Sequence, residues 1–431
     1  MKPIDKPHFK AKKSELDLEQ HIILTYFFES QTDPEEAALN LCQEQSTAQW
    51  KRVGVDEDFR PRHGAKLLNL EILEVKDQPF FQSSFNKGPK FYNCKATIAH
   101  PHINFGPKIP NMLTTILGEG VFYVPGITAI KLMNIDFPET FLKNFQGPQF
   151  GLEGIRNLLA VHDRPLFFGV IKPNVGLAPK DFAALAYESW LGGLDVPKDD
   201  EMMADASYST LAERTKLLGE LRKKAEAITG EKKFFLANIT DEVDKIQINH
   251  DIAVANGVNA IMLNATATGL SAARALRKTS KVPMVGHFAG MTAFTHIPFF
   301  GVSSRVWVKL QRLAGFDSIL FPGFNPRMRT TEEEVLRNVH ACLEPLGNLK
   351  PALPLVGGSD WAGTLPSLYK KIGSIDFGVV SGRGISNHPG GPRSGARSLR
   401  QAWEAIQKNI SLEEYAKTRL ELQQALEAFG N

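Results

Sequence analysis

The densest chemical signal in the 431-residue chain is the run Lys198-Asp199-Asp200-Glu201, which closes the stretch WLGGLDVPKDDE (190–201). The apolar part reads as a strand. Side chains alternate along a strand, so Lys198 and Asp200 face one side, and Glu201 at the exit can turn to join them. Two carboxylates make a hard oxygen site suited to Mg²⁺. An ammonium repels a cation, so Lys198 fits such a site only as a charge partner or as the carbamate formed when CO2 adds to its neutral amine. Desolvation lowers a lysine pKa in the direction that addition needs. A solvated charge cluster at a strand end accounts for the same four residues equally well.

Further candidates lie at the ends of other apolar runs. Lys172, in GVIKPN (169–174), is placed as an acid/base or electrophile; a surface lysine before a proline turn is the plainer alternative. Gly357-Gly358-Ser359 and Ser381-Gly382-Arg383-Gly384 offer backbone N–H groups, with Arg383 as a clamp for phosphate; outside a suitable fold they are ordinary turns. His287 ends another run, where a lone histidine is more often structural. Several motifs fail. Gly118-Glu119-Gly120 lacks the third glycine of a dinucleotide fingerprint, and neither GxxxxGK[ST] nor GxSxG occurs.

The elements that must position these groups fall into two grammars. HIILTYFFES (21–30), KLLNLEILEV (66–75) and YNCKATIAH (92–100) read as strands, and Asp33-Pro34-Glu35-Glu36 opens a helix. Their irregular mixture predicts an N-terminal α+β domain over residues 1–145. From about residue 165, eight short apolar runs recur, at 166–171, 192–196, 233–239, 260–265, 283–288, 318–324, 353–358 and 376–384, mostly separated by helical stretches. That alternation predicts an α/β fold, a closed (β/α)8 TIM barrel over 146–431, with an open doubly wound sheet as the alternative. Ser411-x-x-Glu414 is a capping box that opens a C-terminal helical tail.

Composition narrows the function classes. Hydrophobic residues are 43% and charged residues 23%, enough for a sizeable core, and the net charge of +3 gives no global attraction to nucleic acid or anionic lipid. The lysines at 2, 6, 10, 12 and 13 read as a solvated terminus. Cys42, Cys94 and Cys342 form no CxxC pair, which points to a reducing, cytoplasmic setting. Residues 1–20 lack an apolar h-region, so no secretory signal is expected, and no run reaches the roughly 18 apolar residues of a membrane span.

GVIKPNVGL, GGLDVPKDDE and SGRGISNHPGG closely resemble three signature regions of the RuBisCO large subunit, and EQSTAQW (44–50) resembles a fourth. Order and spacing agree over essentially the whole chain. The resemblance implies a ferredoxin-like N-terminal domain, a C-terminal barrel, and a homodimer with composite active sites. It implies Mg²⁺ held by carbamylated Lys198, Asp200 and Glu201, Lys172 as acid/base, and His287 beside the substrate. Glu44, Gln49 and Trp50 resemble the segment that the other subunit lends, and Gly358, Ser359, Gly382 and Arg383 the phosphate site.

Departures set the expectation for activity. Asn174 stands where carboxylating enzymes have a second lysine, and the loop FNPRMRT (324–330) has no lysine. Phe288 and Leu320 fall where an arginine and a histidine would grip a second phosphate, and Glu119, near an asparagine position, is a second catalytic candidate after Lys172 for shuttling a proton. Seating a phosphate beside Phe288 would forfeit charge-assisted bonds worth about 1.5–3 kcal/mol each. A substrate with one phosphate and an apolar far end is therefore expected. The pattern resembles the RuBisCO-like, form IV proteins, and QSTAQWKRVGVDEDF and NITDEVD are similar to their photosynthetic-bacterial branch, associated with sulfur metabolism and oxidative stress. Relatives in other branches imply enolisation or isomerisation of a phosphorylated, methylthio-type ketose without CO2 fixation. A lyase or decarboxylase of a sugar-acid phosphate, or a non-catalytic ligand-binding regulator, is the alternative.

Overall fold

The computed structural model describes residues 3–48, 54, 57–119 and 123–430. They form two compact units, one of Met1–Gln146 with Gly290–Leu310 and Pro345–Leu349, the other of Gly147–Ala289, Gln311–Glu344 and Lys350–Asn431.

The first unit is built on strands β1 (His21–Ser30), β2 (Lys66–Lys76), β3 (Phe91–Pro101) and β4 (Ile127–Asp136). They are ordered β4-β1-β3-β2, with β1 antiparallel to both β3 and β4 and β2 antiparallel to β3. Helices Pro34–Glu44 and Ile109–Ile116 follow β1 and β3, completing a ferredoxin-like β-α-β-β-α-β order. Asp33 caps the first helix by accepting from the Glu36 N–H at 2.8 Å, with Pro34 at its first position. A two-residue strand, Gly301–Val302 (β10 in chain order), adds parallel to β4. Sequence patterning does not identify β4, because Lys131 interrupts its apolar register. Lys131 is buried by donating to the Thr295 carbonyl at 2.7 Å and the Ile297 carbonyl at 2.5 Å.

The second unit closes eight parallel strands into a barrel. These are β5 (Leu166–Val170), β6 (Val196–Lys198), β7 (Leu236–Asn238), β8 (Ala260–Leu263), β9 (Met284–Gly286), β11 (Ser318–Pro322), β12 (Leu353–Gly357) and β13 (Gly378–Ser381). Each falls within or at the end of an apolar run expected from sequence. The run at 192–196 contributes only Val196, since Gly192 caps the preceding helix and Leu194-Asp195 lead into the strand. Phe168, Val196, Leu236, Met262, Val285, Leu320, Leu355 and Val380 belong to one buried core, as in a filled barrel. Thr210 and Thr331 cap helices Leu211–Thr229 and Glu332–Leu343, and Ser411 accepts from the Glu414 N–H as its capping box requires. Among the described residues, no helix is long and apolar enough to cross a membrane.

Buried aspartates fasten strand to strand. Asp195 receives Arg164 through both terminal nitrogens, at 2.6 and 2.7 Å, and the Phe167 N–H at 2.8 Å. Burial by itself would raise its carboxyl, but Arg164 overrides that and holds it down at about 2. A carboxyl lowered on folding stabilises above its unfolded pKa and loses that contribution as pH falls through the folded value. We therefore expect about 2 kcal/mol from Asp195 above pH ~4, lost by pH ~2. Denaturant unfolding of wild type and Asp195→Asn against pH checks this: the stability gap should shrink on acidification.

Candidate active site

The candidate groups converge because they occupy the C-terminal ends of adjacent barrel strands. Lys198 is the last residue of β6 and is 1% exposed. Its Nζ donates to the Asp199 carbonyl at 2.7 Å and lies 4.0 Å from a Glu201 carboxyl oxygen. Burial pulls the Lys198 amine below the usual lysine range, more than the neighbouring carboxylates raise it, and Lys172 adds to the fall. Lys172, just past β5, donates to Asp200 Oδ2 at 2.7 Å and to Asn174 Oδ1 at 2.8 Å. Asp200 is itself 1% exposed, so Lys172 is its counter-ion.

The middle aspartate has a different task. Asp199 is paired with Arg214, both side chains being fully buried, and accepts the Asn238 N–H at 2.8 Å. It ties β6 to β7 and to helix Leu211–Thr229. Asn238 also donates to the main-chain carbonyls of Asp200 at 3.3 Å and Glu201 at 3.0 Å, shaping the turn that carries the two outer carboxylates.

His287 follows β9 and places Nε2 3.4 Å from a Glu201 carboxyl oxygen. Its Nδ1 accepts the Ala289 N–H at 3.1 Å, so in the neutral ring the proton sits on Nε2, facing Glu201. Burial, reinforced by Lys198, lowers the imidazole well below its ordinary value, so it is neutral at pH 7. Phe288 stacks on it with centroids 4.8 Å apart.

Lys172, Lys198, Glu201 and His287 share one cavity of about 570 Å³ with Gly358, Ser359, Gly382 and Arg383. The loop after β12 is conformationally demanding, with Gly358 at φ +141° and Ser359 at φ +63°. A Cβ on Gly358 would sit 2.4 Å from Met328 Cγ. Val170, Phe288, Leu320, Met328 and Val380 supply the apolar wall. Sequence reading missed Arg327, Met328 and Asn387, which also line it. The loop after β11 has no lysine, but any cation beyond a barrel strand can reach the cavity. Arg327 thus leaves the cavity more cationic than the losses at Phe288 and Leu320 imply.

Other expected residues lie elsewhere. Glu44 and Glu119 line a separate hollow of about 380 Å³ in the first unit, with Ser46, Asn104 and Tyr123. Gln49 and Trp50 lie outside the described residues.

Among the described residues, no three His, Cys, Asp or Glu side chains converge as a ready metal site. The Lys198, Asp200 and Glu201 set is one oxygen donor short. A carbamate on Lys198 would supply that donor, and the depressed, fully buried amine suits the addition, so the residues fit Mg²⁺ on that condition.

Fold and site together define a (β/α)8-barrel protein whose polar groups gather at the strand C-termini, joined to a ferredoxin-like unit. Residues 151–429 match the ribulose bisphosphate carboxylase large chain, catalytic domain, and residues 12–141 its N-terminal domain. The chain belongs to the RuBisCO large-chain family. It is 54% identical over 415 residues to a ribulose bisphosphate carboxylase-like protein of Chlorobaculum tepidum, covering 96% of this chain and 95% of the relative. It is also 54% identical over 432 residues to ribulose bisphosphate carboxylase-like protein 2 of Rhodopseudomonas palustris, covering both in full. A more distant relative, 32% identical over 414 residues and covering 95% of this chain and 99% of its own, is a 3-oxo-isoapionate-4-phosphate decarboxylase of Rhizobium etli. Among solved structures, an octameric Rubisco of Pyrococcus horikoshii with sulfate superposes with a TM-score of 0.87 at 29% identity, covering 96% and 94% of the two chains.

Because Gly358 combines positive φ with the Met328 contact, we expect that, if this loop holds inorganic phosphate, Gly358→Ala leaves the barrel folded but weakens that binding by about tenfold or more. Isothermal titration calorimetry, with circular dichroism as the folding control, checks this.

Proposed function

We propose that this chain is a non-carboxylating member of its family that abstracts a proton next to the carbonyl of a small phosphorylated, ketose-like compound, giving enolisation, tautomerisation or isomerisation. The observation that carries the reading is the single cavity where Lys172, Lys198, Glu201 and His287 meet the Gly358-Ser359 and Gly382-Arg383 loops.

The loops after β12 and β13 hold the phosphate through backbone N–H groups and Arg383. Phe288, Leu320 and Met328 receive an apolar end such as a methylthio group, in keeping with a role in sulfur metabolism or the oxidative stress response. Asp200, Glu201 and carbamylated Lys198 would hold Mg²⁺. When bound, that ion would supply a Lewis acid for the substrate carbonyl and the charge that develops on its oxygen. Lys172, steadied by Asn174, shuttles the proton, and neutral His287 presents its Nε2–H beside the reacting atoms. Glu119, with Glu44, is lent by the hollow of a second copy in a homodimer with composite sites. Asn174, the lysine-free loop at 324–330 and the apolar Phe288 and Leu320 support the absence of carboxylation.

The decarboxylase named among the relatives favours one second reading, in which CO2 rather than a proton leaves the enolising carbon. Deuterium uptake from D2O, read by mass spectrometry across ketose monophosphates and methylthio analogues with Mg²⁺ and bicarbonate, separates the two. Metal-dependent exchange is expected with one substrate class, falling by about a hundredfold or more in Lys172→Ala. CO2 release without exchange in unreacted substrate would replace the proposal with the decarboxylase reading. Neither signal from any compound would leave a ligand-binding regulator. With ribulose bisphosphate and CO2, phosphoglycerate should stay at the no-enzyme level; product above it would overturn the non-carboxylating assignment.

A further inference from the structure

Immediately after Ser359, the Asp360 side chain turns inward, leaving the residue 2% exposed. Its Oδ1 accepts from Thr364 Oγ1 at 3.2 Å, while Oδ2 is buried with no hydrogen-bond partner among the described residues. The Asp360 main-chain carbonyl accepts Ser381 Oγ at 2.6 Å, joining the loop after β12 to the end of β13. The fit is tight: a Cβ on Gly384 would lie 2.7 Å from the Asp360 carbonyl oxygen and 2.8 Å from Ser381 Oγ. The Asp360 main chain therefore joins the two loops that face the cavity, with its carboxyl turned to Thr364, and the residue is adjacent in sequence to Ser359, a non-glycine residue at positive φ.

A buried carboxylate with an unpartnered oxygen is strongly disfavoured, whereas the neutral acid is tolerated. We propose that Asp360 is a positioning residue for an oxyanion site on these two loops: as the neutral acid it lets Gly358 and Ser359 hold a phosphate-type anion, and once ionised it drives that anion out. This rests on the phosphate-site reading of Gly358, Ser359, Gly382 and Arg383. Burial pushes the Asp360 carboxyl up to about 7, opposed only by the Thr364 hydrogen bond. Among the described residues Asp360 forms no ion pair with the charged groups on surrounding elements, namely Arg383 on its short helix, Lys370 and Lys371 on Leu365–Ile372, Arg397 on Gly391–Gln407, and Glu421 and Glu427 on Leu420–Phe429.

The sign follows from linkage. An anion bound beside Asp360 favours the protonated acid and raises its pKa further, so affinity is level below the free value and falls above it. Sulfate is the suitable probe, because it carries the same charge throughout the range. Its affinity should weaken by about tenfold between pH ~6 and ~8.5 in wild type and change by less than about twofold in Asp360→Asn, which keeps the shape without the charge. Any other group titrating in this range would move both proteins alike. Parallel profiles overturn the proposal and leave the oxyanion site standing; failure of wild type to bind sulfate at any pH overturns both. If Asp360→Asn does not fold, carboxyl-carbon NMR of the wild type decides: an aspartate titrating near neutrality should move to higher pH with sulfate, and an unmoved titration sinks the idea.

Discussion

Three consecutive charged side chains, Lys198, Asp199 and Asp200, are withdrawn from solvent at the end of β6. Ions taken out of water must be met by counter-charges and hydrogen bonds, or the barrel does not close. Asp199 is met by Arg214 and the Asn238 N–H, Asp200 by Lys172, and Lys198 by a main-chain carbonyl. Those partners come from the end of β5, from β7 and from the helix after β6. Satisfying one run of charge thus sets the relation of three neighbouring strands. The same satisfaction leaves Lys198 without a direct carboxylate hydrogen bond, and burial lowers the pKa of its amine.

The cavity beyond these residues has two chemical characters. Glycine-rich loops and Arg383 present N–H groups and a positive charge on one side, while Phe288, Leu320 and Met328 present an apolar surface that would gain nothing from an anion. Arg327 tempers that division, since it restores a positive charge on the loop after β11. The Met328 contact with Gly358 links that loop to the loop after β12, so the cavity walls are not independent.

Much of the architecture is legible in local patterns. The eight barrel strands appear as short apolar runs, and Asp33 and Ser411 mark helix starts because capping is a local hydrogen bond. Strand β4 is not legible, because its buried Lys131 is satisfied by carbonyls more than a hundred residues away. At the site, Lys198, Asp200, Glu201, Lys172 and His287 stand out by residue type at strand ends. Asp199 cannot be told from its neighbours by type; only Arg214, fifteen residues on, marks it as structural.

The sequence by itself determined the strand and helix periods, the caps, the glycines of the cavity loops and the presence of reactive groups at strand termini. All of these depend on residues a few positions apart. Only the tertiary structure decided that Lys172 pairs with Asp200, that Asp360 is buried beside the loop after β12, that Arg327 and Met328 enter the cavity, and that Glu44 and Glu119 share a different hollow. Those outcomes depend on closing the barrel and folding the first sheet, which set burial and long-range distance, and neither quantity is encoded in local spacing.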